Sequence, residues 1–196
     1  MSINSCANLM NKVLLILMII VSAGCSQQNT SKVNLAAYSA MGDSLIAKTF
    51  DTLRNSLLRE AGQKGFDGAV AYCNTNALGL TNTYADNKVH ISRTSNKVRN
   101  GNNAPDTMEQ KILSKYLTLI EGKQKPTPVI EQDASGNIHY FKPIMLQSMC
   151  LNCHGTKEQI QPKTWEMIQS KYPSDLAYGY KEGDFRGIWH VEFNRP

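Results

Sequence analysis

Residues 138–154 read Ile138-His139-Tyr140-Phe141-Lys142-Pro143-Ile144-Met145-Leu146-Gln147-Ser148-Met149-Cys150-Leu151-Asn152-Cys153-His154, and the rest of the chain is interpretable outward from them. Ile138 to Phe141 is rich in residues that fit a pleated sheet. It follows Val129 to Gln132 and a turn at Ala134-Ser135-Gly136-Asn137, which predicts an antiparallel hairpin. Soon after this hairpin stand Cys150, Cys153 and His154 in the C-x-x-C-H spacing, the attachment signature of a c-type haem. The two-residue spacer lets both thiols reach the two vinyl groups of one porphyrin, and the adjoining His154 comes beneath the iron as proximal ligand. A thioredoxin-like pair belongs at the start of a helix after a βαβ strand, whereas Gly155 follows this motif at once and the hairpin before it is antiparallel. A zinc site needs a fourth ligand, and the sequence has neither a second C-x-x-C nor a spaced histidine pair. One covalent haem c is therefore the expected cofactor.

On the N-terminal side of the hairpin the apolar residues recur at helical intervals. Leu45, Phe50, Leu53 and Leu57 predict an amphipathic helix within Leu35 to Leu58, ended by Gly62 and Gly65. Asp67 is a good N-cap for a second helix through Val70, Cys73, Ala77 and Leu80, which share one face and turn Cys73 inward. Val89 to Arg93 reads as a short strand, followed by a loop from Asn96 to Pro105. Asp106 and Glu109 have capping-box spacing ahead of a stripe of Met108, Ile112, Leu113, Tyr116, Leu117 and Ile120. On the C-terminal side, Pro162 opens a short helix with Trp165 and Ile168. Trp189, Val191 and Phe193 then alternate with His190 and Glu192 in a final strand. Helices with an antiparallel sheet give an α+β class.

The beginning of the chain reads as an export signal. Lys12 is followed by an apolar run from Val13 to Val21, far short of the roughly 20 residues that span a bilayer. Ser22-Ala23-Gly24-Cys25 resembles a lipobox, with Ser22 where an aliphatic residue is commoner, so Cys25 is the expected lipidation site. Residues 1–24 are then a signal peptide, 25–34 a polar tether, and 35–196 a single domain. Acyl chains would hold the protein on a bacterial membrane, facing the periplasm or the cell exterior. A net charge of +5 is a mild excess and gives no reason to expect nucleic-acid binding. Of the five cysteines, Cys6 leaves with the signal, Cys25 takes lipid and Cys150 and Cys153 take haem. Cys73 is left unpaired in a compartment that favours disulfides.

Met167, the one methionine after the motif, is too close in sequence to reach the opposite haem face, so a sixth ligand, if there is one, comes from upstream, where Cys73, His90, His139, Met41, Met108 and Met145 are available. His90 and His139 fall in strand-like segments where exposure is common, and the methionines fit core stripes. For Cys73, the residues alone leave open both a small buried apolar role and iron ligation.

The sequence resembles a family of single-haem c-type proteins of PAS-like fold with mixed cysteine and histidine ligation, regarded as redox or signal sensors. Ala71-Tyr72-Cys73 resembles its helical cysteine. Ile91-Ser92-Arg93-Thr94-Ser95, Arg99-Asn100 and Asn103-Ala104-Pro105-Asp106 resemble its Arg/Asn loop. Tyr140 to Ile144 leads into the motif as in the family, and Tyr172 to Ala177, Gly179-Tyr180, Gly183-Asp184 and Arg186-Gly187 resemble its closing stretch. Gly101 and Met108 depart from it, standing where a proline and an aromatic are frequent. The resemblance implies Cys73 as distal ligand, a sheet backed by helices with haem against it, and Arg93, Arg99 and Asn100 as partners of the haem propionates. It further implies a low-potential haem, whose thiolate favours the ferric state and loosens on reduction. A redox or small-ligand sensor acting through a protein partner is the reading this favours. An electron carrier serving a membrane partner comes second, and a haem enzyme acting on a small oxidant third, since no distal acid/base constellation is evident.

Overall fold

The computed structural model describes residues 33–195. The expected signal peptide, Cys25 and nearly all of the expected tether lie outside the described residues. Helix α1 (Leu35–Thr81) begins at Asn34, whose side chain accepts from the Ala37 amide at 3.1 Å. It is broken once, at Gly65, with φ 74° and ψ 175°, a conformation open in practice only to glycine. The two helices expected from the sequence are therefore the two arms of α1. Gly62, expected to help end the first, lies within it.

Strands β1 (Val89–Thr94), β2 (Val129–Gln132), β3 (Ile138–Met145) and β4 (Phe185–Phe193) form one antiparallel sheet in the order β1-β4-β3-β2. Strand β3 runs four residues past the expected end at Phe141. Pro143 is tolerated because β2 pairs only with residues 138–141, so one edge of β3 is free where the missing N–H falls. The first arm of α1 covers one sheet face, packing Tyr38, Leu45, Ile46 and Phe50 against Ile91, Ile138, Tyr140 and Val191. Gly42 makes this approach possible, because a methyl group there would run into the Tyr140 ring. The second arm carries Val70 onto Ile160 and onto Ile168 of the short helix α4 (Pro162–Lys171).

Helix α2 (Thr107–Glu121) covers the opposite face, burying Ile112, Leu113 and Tyr116 against Phe141 and Ile188. Its expected capping box is present, with Asp106 accepting from the Glu109 amide at 2.7 Å and Glu109 accepting from the Asp106 amide at 3.1 Å. Leu117 departs from the expected stripe and is 39% exposed. Because both faces of the sheet are covered, alternation along β4 does not separate inside from outside. His190 is buried like Trp189 and Val191, and His139, expected in a surface-prone strand, is buried as well. The α+β class holds, with a sheet backed by helices as the resemblance implies.

Candidate cofactor site

Both arms of α1, the α1 face of the sheet and the C-x-x-C-H turn enclose a cavity of about 290 Å³. A 3-10 turn (Ser148–Cys150) and the single-turn helix α3 (Leu151–His154) carry the motif into it. This turn is held at its root by Leu146, whose amide donates to Asp184 O at 2.9 Å while its carbonyl accepts from the Gly183 amide at 2.8 Å.

His154 Nδ1 is 2.6 Å from Ala177 O, and a carbonyl can only accept, so this nitrogen carries the hydrogen and Nε2 keeps a free lone pair. Burial, reinforced by Arg99 and Arg186, depresses the His154 pKa well below 6.5 and holds the ring neutral. The segment after α4 folds over the motif, with the Gly179 amide donating to Gly155 O at 2.8 Å and the Tyr180 amide to His154 O at 3.0 Å. Arg99 ties the assembly together. Its Nη2 donates to Cys153 O at 2.6 Å, Asp175 Oδ2 at 3.0 Å and Ala177 O at 3.1 Å, while its Nε donates to Asp175 Oδ1 at 3.2 Å. Asp175 Oδ1 also accepts the Ala177 amide at 2.8 Å, so one carboxylate fixes both the arginine and the peptide that orients the histidine.

Four arginines line the cavity: Arg54, Arg93, Arg99 and Arg186. Burial pulls the Arg93 pKa down to about 10 against the opposing pull of Cys73, and its Nε is buried without a hydrogen-bond partner. The Arg93 guanidinium lies 5.3 Å from the centroid of the Trp189 ring. Cys73 forms part of the α1 wall. Burial raises its pKa, with Arg93 and Arg99 opposing, and burial pushes Cys153 up to about 11. Cys73, Cys150 and Cys153 are all free thiols. The cavity thus offers three thiols, a neutral imidazole with an open nitrogen, and a buried cation facing apolar walls.

A family model described as Tll0287-like, Tll0287, matches residues 12–194. The chain belongs to the Tll0287-like family. A solved structure, titled as the cyanobacterial heme-protein Tll0287, matches with a TM-score of 0.56 at 24% identity, covering 80% of this chain and 96% of the other, which establishes likeness of fold. A comparison with curated proteins found no match.

In this Tll0287-like chain every residue singled out from the sequence as cofactor-binding lines the one cavity: Cys73, Arg93, Arg99, Asn100, Cys150, Cys153 and His154. Of the six candidates for the sixth ligand, only Cys73 does so. His90, Met41 and Met145 are exposed, Met108 belongs to α2 and packs into the cluster on the other face of the sheet, and His139 is on that face too. Arg99, which the resemblance assigns to propionates, has its Nε and Nη2 committed to Asp175 and to the backbone of Cys153 and Ala177. Sequence reasoning gave no role to Arg186, Asp175 or Ala177. Arg186 is brought in by a bulge: Ile144 pairs with Gly187 and Met145 with Phe185, leaving Arg186 as the extra residue of β4. Such a bulge carries no periodic signature.

Proposed function

We propose that this chain is a lipid-anchored, extracytoplasmic protein that binds one haem covalently through Cys150 and Cys153, with His154 and Cys73 as axial ligands, and that it acts as a redox or small-ligand sensor. The observation that carries this reading is the single cavity with the C-x-x-C-H turn at one wall and Cys73, from a distant helix, in another. The residues present fit the group. His154 keeps Nε2 free for a metal, and the unpartnered, buried Arg93 Nε asks for an anion such as a propionate carboxylate. Membership of a family whose solved relative is titled a heme-protein supports the same assignment.

Bound haem supplies one-electron chemistry at a potential that a thiolate ligand lowers. The chain's own part is to hold and to respond. Arg99, Asp175 and Ala177 fix the His154 ring, and the apolar walls exclude water. Cys73 lies on the arm of α1 beyond the break at Gly65, and burial favours its neutral thiol when no metal holds it. A loosened Cys73 therefore has a neutral resting form, and its helix has a hinge through which movement passes outward. This favours a sensor over a locked electron carrier.

Ferric absorption and paramagnetic-resonance spectra of wild type and Cys73→Ser test the site. Thiolate-type bands present in the wild type are lost in the variant, and identical spectra would remove Cys73 from the iron. Carbon monoxide uptake by the reduced wild type is expected for a labile ligand, and its refusal favours the carrier. Cys25→Ser is expected to move a still-coloured protein from the membrane to the soluble fraction, and retention on the membrane would refute the lipid anchor.

A further inference from the structure

The sheet face turned away from the cavity carries a file of ionisable side chains that the proposed haem site leaves unused. Asp133, in the β2–β3 turn, places Oδ2 3.4 Å from His139 Nε2. His139 Nδ1 is 3.0 Å from His190 Nε2, and His190 Nδ1 is 2.9 Å from Glu109 Oε1. The Ser92 hydroxyl donates to that same Glu109 oxygen at 3.0 Å. His139, His190 and Glu109 are 6%, 4% and 5% exposed, whereas the Asp133 side chain is 23% exposed, so the file meets water at one end.

The proton count follows from which atoms can only accept. Glu109 Oε1 accepts from His190 Nδ1, which therefore carries a hydrogen. His190 Nε2 is then an acceptor, so His139 Nδ1 carries one too. The remaining atom is His139 Nε2. Bare, it opposes its lone pair to a carboxylate oxygen. Protonated, it donates to Asp133 and completes the file, which then holds one imidazolium between two carboxylates. Phe141 stacks on His190 with centroids 4.3 Å apart and offers a ring face to the shared charge.

This file runs along the sheet rows next to those that line the cavity, on the opposite face. Arg93 pairs with Trp189, and both line the cavity, while the adjacent residues Ser92 and His190 pair with each other and point the opposite way. We propose that His139 Nε2 is a proton-loading site coupled to the cavity: when a one-electron donor reduces the haem, one proton from water binds this nitrogen and is held by Asp133, and on oxidation it returns to water. The inference rests on the haem reading. At this site one electron at the cavity is balanced by one proton: an O–H bond of solvent breaks, an N–H bond forms on His139, and reoxidation reverses both.

The surroundings favour the added positive charge. Glu131 of β2 and Glu192 of β4 lie opposite His139 in register, and His90 of β1 lies opposite Glu192. Lys111 of α2 is drawn off to Glu131 at 3.8 Å, Arg195 lies over Gly136 of the turn, and burial keeps the Tyr116 phenol neutral. Burial opposes ionisation of Glu109, yet hydrogen bonds from His190, the Asp106 amide and Ser92 hold it below the ordinary carboxylate range.

The test is the midpoint potential of the full-length, haem-loaded chain between about pH 5 and pH 9, measured for wild type, His139→Gln and Asp133→Asn. In the wild type the potential falls as pH rises across a limited window of this range. In His139→Gln that fall disappears. In Asp133→Asn, a change at the wet end that keeps the buried rings, the window moves to lower pH because the imidazolium has lost its partner. An identical pH dependence in wild type and His139→Gln overturns the proposal, as does a window that Asp133→Asn leaves in place. A chain that purifies without haem overturns the haem reading and this inference with it, whereas a coloured chain with unshifted pH dependence overturns this inference alone.

Discussion

Asp175 has no exposed side-chain surface and shares its two oxygens between Arg99 and the Ala177 amide. Removing one member of a buried ion pair leaves the other charge desolvated and uncompensated, at a cost of roughly 3–5 kcal/mol. Asp175→Asn keeps the shape and one acceptor, so its expected cost is about 3 kcal/mol, read from the urea midpoint of the chain. The same variant frees the Ala177 carbonyl that orients His154, and a shift of the haem potential is expected along with the loss of stability. An unchanged potential would confine Asp175 to a structural role. Cys150, Cys153 and His154 were legible because their chemistry is compressed into five residues. Asp175 was not, because it meets Arg99 across 76 positions and a lone aspartate in a loop has no pattern of its own.

Gly65 turns α1, so that its first arm covers the sheet and reaches the cavity through Phe50, Leu53 and Leu57 while its second brings Val70 and Cys73 to the same cavity. At φ 74° and ψ 175° a side chain is strained by about 1–3 kcal/mol, and a Cβ would also stand 2.7 Å from Asp67 Oδ1. Gly65→Ala should lower the unfolding free energy by about 1–3 kcal/mol, read from the urea midpoint, and also disturb the thiolate bands, since Cys73 rides on the arm beyond the break. A Gly62→Ala control, in open space, should leave the bands alone. The helices were legible from their period and caps. Sequence could not rank the two glycines, because a glycine inside a helix costs only about 1 kcal/mol and packing outweighs it. Strand β3 was under-read for a related reason: Pro143 ends a central strand but not one whose neighbour has already stopped.

At the scale of the whole molecule the sheet is a partition, with the cavity on one face and the Glu109–His190–His139 file on the other. Sequence alternation misplaced His139 and His190 because it assumes that one side of a strand is wet, and here α1 and α2 cover both. That burial predicts how the fold responds to acid. Burial by itself would raise the Glu109 pKa, but the hydrogen bond from His190, with those from Asp106 and Ser92, brings it below its ordinary 4.5. The folded chain therefore binds fewer protons at this site than the unfolded chain does. Its contribution to stability is complete above 4.5 and is lost as pH falls through the lower folded value. Asp43, Asp133 and Glu158 are also depressed, but water screens them more than it does Glu109, at 5% exposure; Glu60, 6% exposed and held down by Lys64, adds to the same loss in acid. Urea midpoints recorded from pH 7 down to pH 3 should stay level and then fall below about pH 4.5 in the wild type. Glu109→Gln should begin roughly 3 kcal/mol lower at pH 7, because the histidine file loses its inner carboxylate, and should fall less steeply in acid. Parallel curves for the two proteins would mean that acid unfolds this sheet from its surface and not through the carboxylate beneath α2.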